Sequence, residues 1–204
     1  EGVAPAGSPG PSLVERLEAV SLTVGQEVDL HLPDGAVQRG EALLRSGTIV
    51  GSREIGMLAA CGIAEVLVTR RPRVAILSTG DELVQPGDGL RPAAIYDTNG
   101  AIVTAAIAEN GGDASFLGAI ADNAAMLEAA MRKALADSDM LVLSGGTSKG
   151  AGDVSHRIIG GLGKPGIIAH GVALKPGKPL CLAVCDGKPV VILPGFPTSA
   201  MFTL

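Results

Sequence analysis

Acids, lysines and glycines gather at a few breaks between apolar runs, and their types suggest anion and cation handling. Asp81 and Glu82 follow Gly80 directly after the run VAILST, Asp97 precedes Thr98-Asn99, and Asp153 closes a stretch beginning Ser144-Gly145-Gly146-Thr147-Ser148. A hard cation such as Mg²⁺ takes one or two carboxylates together with ligand phosphates, and four acids at such breaks suit that chemistry. The Gly145-Gly146 pair, flanked by hydroxyl residues, would expose backbone N–H groups to an anionic oxygen, with a helix N-terminus adding positive potential. Lys175-Pro176-Gly177-Lys178-Pro179 supplies two cations on a backbone stiffened by proline. Each feature also has a plain reading: a glycine turn after a strand, Asp97 as a helix cap, two solvated lysines.

Other chemistries lack their residues. No Gly-Lys-Ser/Thr follows a four-residue spacer after a glycine, so this is not a P-loop, and no Gly-x-Ser-x-Gly elbow marks a serine hydrolase. His156 and His170 lack the spacing of a zinc site. Cys181 and Cys185 in LCLAVC fall on one face of a strand about 13 Å apart, too far to bridge, which reads as buried reduced thiols in a reducing compartment.

These residues need elements to hold them. From Arg73 onward the chain alternates strand-like and helix-like segments: VAILST (74–79), a helix capped by Thr98 or Asn99 and running to Asn110, SFLGAI, a helix from Asn123 to Ala136, MLVLS (140–144), a helix over VSHRIIGGL, the strands CLAV and VVIL, and a last helix starting near Thr198 or Ser199 and stopping at Leu204. This rhythm predicts an α/β fold, a three-layer, mostly parallel sheet with helices on both faces, over residues 72–204. In open sheets of this kind ligands bind where the strands finish, so Ser78, Thr79, Gly80, Ser144, Pro194, Gly195 and Pro197 fall at the candidate edge.

The first part is less regular. Residues 1–11 are small and Gly/Pro-rich, a flexible tail. Residues 12–71 form a small mixed α+β segment: VGQEVDLHL as a strand before a Pro33-Asp34-Gly35 turn, a helix capped by Ser52 with Ile55, Leu58 and Ala59 on one face and ending at Gly62, then EVLVT (65–69) as a strand.

Composition narrows the partners. The 204 residues are 47% hydrophobic but only 2% aromatic, enough for one substantial core of small and aliphatic side chains. A net charge of −5 argues against a nucleic-acid footprint or an anionic membrane surface. No apolar run is long enough to span a bilayer and no basic-then-apolar leader opens the chain, which predicts a cytoplasmic protein; the missing initiator Met suggests a cut or processed chain.

The segments STGDEL (78–83), YDTN (96–99), SGGTSKGAGD (144–153), HGVALKPGKP (170–179) and LPGFPTSA (193–200), in this order, resemble the molybdopterin molybdenumtransferases, bacterial MoeA and the E-domain of gephyrin. The resemblance covers about residues 38–204, with 39–66 similar to the stretch entering this domain from the family's elongated part. It implies a MogA-like molybdopterin-binding domain that binds adenylylated molybdopterin and inserts molybdate with Mg²⁺, releasing AMP. It implies metal or ligand roles for Asp81, Glu82 and Asp153, and anion roles for Lys175 and Lys178. The glycine loop at Gly145-Gly146, with Ser144, Thr147 and Ser148, would receive the pterin phosphate or adenylate, together with Ser78, Thr79, Gly80, Asp97, Asn99, Pro194, Gly195 and Pro197. It further implies a homodimer in the full-length form and an upstream MogA-type adenylyltransferase as partner. Two residues depart from the pattern: Phe196 stands where the family usually has Asn in Pro-Gly-Asn-Pro, and Thr147 where it usually has Val. On this resemblance the chain would lack the family's C-terminal domain and most of its N-terminal part. Two alternatives are therefore a paralogue or fragment that binds or senses molybdopterin, or scaffolds a partner, without catalysis, and a MogA-type adenylyltransferase, against which KPGKP and LPGFPTSA speak.

Overall fold

The computed structural model describes residues 43–45, 47–66, 68–145 and 151–204. The chain divides into two compact units with the boundary between Arg71 and Pro72.

In the first unit, α1 (Ser52–Ala60) is entered from Gly51, whose N–H donates to the Glu54 carboxylate at 2.9 Å. Gly51, and not Ser52, is the capping position, and Glu54 reaching back does what a capping side chain would otherwise do. Leu58 is buried with Val50, and Leu44, Ile55, Ile63 and Val66 pack on that pair, while Ala59 is exposed. The expected strand at 65–69 is not formed by its described residues. Among the described residues no strand lies beside this segment to pair with it, and a short unpaired run does not make a sheet. The segments expected at 1–11 and over VGQEVDLHL lie outside the described residues.

The second unit carries the α/β rhythm. Its elements are β1 (Arg73–Thr79), β2 (Leu83–Val84), β3 (Ile95–Tyr96), α2 (Thr98–Glu109), β4 (Asp113–Ile120), α3 (Ala124–Asp137), β5 (Met140–Ser144), α4 (Ala151–Leu162), β6 (Pro165–His170), β7 (Cys181–Cys185), β8 (Lys188–Leu193) and α5 (Pro197–Thr203). Six strands form one sheet in the order β4-β1-β5-β8-β7-β6, and β2 pairs with β3 in a short separate ribbon.

The central strands are apolar because both faces are covered. Ala75, Leu77, Leu141 and Leu143 pack with Leu127 and Met131 of α3 and Ile158 and Ile159 of α4. Val74, Ile76, Val142 and Leu193 pack on the opposite face with Val103 of α2 and Ala200 of α5. The alternation along β1 and β5 thus sorts one set of residues into two cores, the three-layer arrangement expected.

The sheet is mainly parallel, with one reversal. β4, β1, β5 and β8 run parallel, whereas β7 is antiparallel to β8 and β6 antiparallel to β7. The cause is local: Asp186 and Gly187 have φ of 49° and 82°, and Cys185 pairs with Lys188 across them. Two left-handed residues between alternating runs form the tight hairpin turn that Asp-Gly favours. The reversal places the end of β6 and the start of β7 beside the finish of β8, with His170 opposite Cys181 and Cys181 opposite Ile192. The lysine turn joining β6 to β7 therefore rises from the same sheet edge as the finishing ends of β1, β5 and β8. Cys181 and Cys185 are both buried free thiols, as expected from their alternation.

Candidate functional site

The edge where β1, β5 and β8 finish holds a cleft of about 160 Å³. Its lining includes Thr79, Gly80 and Glu82 after β1, Tyr96 to Asn99 at the start of α2, Asp122 after β4, Ser144 and Gly145 after β5, and Gly195 and Pro197 after β8.

Asn99 ties this cleft together. It is only 7% exposed, and its Nδ2 donates to Ser144 Oγ at 2.7 Å and to the Gly195 carbonyl at 2.8 Å. One amide thus links the N-terminus of α2 to the loops after β5 and β8. Gly145 draws the β5 loop against β1. Its φ is +93°, its N–H donates to the Leu193 carbonyl at 3.4 Å, and a Cβ there would stand 2.5 Å from the Thr79 carbonyl oxygen. Only glycine meets both the left-handed backbone and the close approach.

The acids have distinct tasks. Asp97 is buried and caps α2, its Oδ1 accepting from the Gly100 N–H at 2.9 Å, so the capping position is Asp97 and not Thr98 or Asn99. Thr79 Oγ1 donates to Asp122 Oδ1 at 2.8 Å, and the Asp122 N–H donates to Asp81 Oδ1 at 3.0 Å. Asp81 is exposed and does not line the cleft, and its carbonyl also accepts from Arg91. Glu82 does line it, with its carboxylate folded over Gly80. Among the described residues the lining carries Glu82, Asp97 and Asp122 and no Lys or Arg. The acceptors Asp97 Oδ2 and Asn99 Oδ1 and the hydroxyl of Ser78 are buried without a hydrogen-bond partner.

The other expected residues fall around this cleft. Ser78 and Pro194 are buried at the ends of β1 and β8 and do not line it. Lys175 and Lys178 are exposed in the turn between β6 and β7, also outside the lining, and Gly177 between them has no room for a Cβ against Thr203 of α5. Gly146, Thr147 and Ser148 lie outside the described residues, and Asp153 is placed only by its backbone, the third residue of α4.

Some features were missed. Asp122 follows a strand-like run as Asp81 does, so the same strand-end rule applied to SFLGAI would have found it. His156 of α4 and His170 at the end of β6 bring their ring centroids within 3.8 Å at an interplanar angle of 42°. No sequence spacing signals a pair 14 positions apart.

A larger cavity of about 440 Å³ lies between α3 and the strands β1 and β4, lined by Val74, Leu77, Leu117, Ile120 and Ala130 with Lys133 and Asp137 among its polar residues. Its walls are mostly apolar and no strand-end loop of β5 or β8 reaches it. Chemistry, not volume, selects the smaller cleft. Among the described residues no three His, Cys, Asp or Glu converge as a metal cage, and no helix is long and apolar enough to cross a membrane.

Residues 75–204 match the family described as a probable molybdopterin binding domain. The chain belongs to this family. The molybdopterin molybdenumtransferase of Nostoc sp. is 39% identical over 81% of this chain and 38% of its own length. Molybdopterin molybdenumtransferase 2 of Mycobacterium tuberculosis is 36% identical over 81% of this chain and 42% of its own. The crystal structure of a molybdopterin biosynthesis MoeA protein from Pyrococcus horikoshii superposes with a TM-score of 0.69 at 40% identity, covering 78% of this chain and 40% of that one. The resemblance drawn from the five motifs is thus borne out at the level of family and fold. The chain spans about two fifths of the length of these relatives.

Proposed function

We propose that this chain is the ligand-binding part of a molybdopterin molybdenumtransferase in molybdenum cofactor biosynthesis. It binds adenylylated molybdopterin at the cleft, accepts molybdate, and supports release of AMP and the finished cofactor. The observation that carries this reading is the Asn99 clasp, which holds the loops after β5 and β8 and the start of α2 around one cleft.

The charges around the cleft support further roles. Both ligands are anions, yet the described lining offers carboxylates and no cation. A divalent cation fits this donor set: the lining carboxylates Glu82 and Asp122 and the unpartnered Asp97 Oδ2, with Asp81 just outside the lining and no His or Cys among the described lining residues, suit Mg²⁺, which prefers a few carboxylates completed by water and ligand phosphates. Glu82 and Asp81 would hold it, with Asp153 at the start of α4 as third acid. When bound, Mg²⁺ would neutralise phosphate charge and polarise the phosphoryl oxygens. Lys175 and Lys178 steer and hold molybdate or phosphate from the neighbouring turn, where exposed ammonium groups cost little desolvation. The backbone of the Gly145 loop receives a phosphate oxygen, and Asn99 acts by positioning, since its two N–H donors are already engaged. No covalent nucleophile is required; positioning and charge do the work.

A second reading, binding without turnover, is favoured by Phe196, which replaces the family's usual amide in the loop after β8. The test is to mix the chain with adenylylated molybdopterin, Mg²⁺ and molybdate and follow AMP. Molybdate-dependent AMP release supports the transferase. Tight binding without release, persisting in a full-length protein carrying this domain, leaves the binder.

A further inference from the structure

The protein holds only four aromatic residues, Tyr96, Phe116, Phe196 and Phe202. Of these, Phe116 packs on the core, Tyr96 lines the cleft with 44% of its surface exposed, and Phe196 is 78% exposed between Gly195 and Pro197, both cleft residues. An aromatic left in water at this level forgoes much of what its burial would contribute, which calls for a partner.

Phe196 serves neither the core nor its helix. It occupies the capping position of α5, where it makes no side-chain hydrogen bond to the helix. Its backbone is held from both sides. The preceding carbonyl, that of Gly195, accepts from Asn99, and the following Pro197 restricts Phe196 to the extended conformation it adopts, φ −77° and ψ 129°. Phe196 is not itself among the residues lining the cleft; its ring stands at the rim, on a stretch of backbone fixed by its two lining neighbours, so little backbone ordering is left to do on binding.

We propose that Phe196 is a stacking platform for the planar heteroaromatic ring of a phosphate-bearing ligand, and so a specificity residue that the usual amide at this position would not provide. The inference rests on the proposed function, in which the ligand carries planar pterin and adenine rings on phosphates. Phosphate recognition stays with the cleft and the lysine turn, while Phe196 reads the ring.

The test compares two probes with the same phosphate, AMP and ribose 5-phosphate, titrated calorimetrically into the 204-residue chain with Mg²⁺. AMP is expected to bind about fivefold more tightly or better, the range of base stacking on an aromatic side chain. Phe196→Ala is expected to erase that preference without weakening ribose 5-phosphate. Phe196→Trp is expected to keep it, and Phe202→Ala, an exposed aromatic elsewhere on α5, to leave it unchanged. Equal binding of the two probes, or a preference that survives Phe196→Ala, overturns the platform while the functional reading stands. If neither probe binds, the cleft is not a phosphate site and both fall.

Discussion

The clasp around Asn99 and the turn bearing Lys175 and Lys178 share one sheet edge but are built in opposite ways. Asn99 is buried and directs both amide hydrogens inward, to Ser144 and to the Gly195 carbonyl, while Gly145 sits where a methyl group would strike the Thr79 carbonyl. The lysines are exposed on a turn carried by the antiparallel strands β6 and β7. The clasp fixes geometry at the cost of leaving polar atoms such as Asn99 Oδ1 unpaired, whereas the turn offers charge with no burial to offset. Shape and charge are thus separable, and substitutions in the two regions should fail in different measurements.

The largest effect is expected from Gly145→Ala. The left-handed backbone and the clash with a carbonyl that cannot move without shifting β1 should together destabilise the fold by about 3 kcal/mol or more, read as a lower urea midpoint. Near-normal stability would mean that the β5 loop is not held against β1. Next comes Asn99→Ala, which leaves the buried Ser144 hydroxyl and the Gly195 carbonyl without their donor. A loss of about 2 kcal/mol is expected, together with weaker phosphate binding. Lys178→Ala should show the reverse pattern, stability changed by less than about 0.5 kcal/mol but phosphate affinity reduced, and more so at low salt. A large stability loss there would break the contrast between the regions.

Two smaller effects sharpen it. Phe196→Asn restores a capping side chain to α5 and should raise stability by about 1 kcal/mol in thermal unfolding. At the two ends of β7, burial pushes the Cys181 thiol above its ordinary range, and burial followed by the charge of Asp186 does the same for Cys185. The folded state then holds these protons at pH values where the unfolded chain has released them. Stability from this source is fully present below the unfolded thiol value of about 9 and falls as pH rises past it. Urea midpoints between pH 8 and pH 10 would show the decline, and Cys181→Ala with Cys185→Ala should flatten it.

Much of this was legible in advance, for physical reasons that differ by element. VAILST and MLVLS are apolar throughout because parallel strands are covered on both faces, and Asn123 announces α3 by its capping chemistry, accepting from the Met126 N–H. The strand-end loops marked the cleft because that edge is where backbone groups are left unpaired. The direction of β7 was less evident, although Asp186-Gly187 carried the signal of a hairpin and hence of the lysine turn's position. The ribbon of β2 and β3 has two residues per strand, too few for any periodicity. Asn99 looked like a ligand contact because its type and place permit it; only the fold shows that its donors turn inward.

The account rests on the claim that the edge bearing Gly80, Asn99, Gly145 and Gly195 is where a phosphate-bearing ligand sits. Backbone amide NMR shifts recorded as AMP is added with Mg²⁺ test it most directly. The account predicts that the largest shifts fall on those four residues and on Lys175 to Lys178, and that little changes at Leu117, Ala130 or Lys133. Shifts confined to that second cavity, or an unchanged spectrum at saturating AMP, would contradict it.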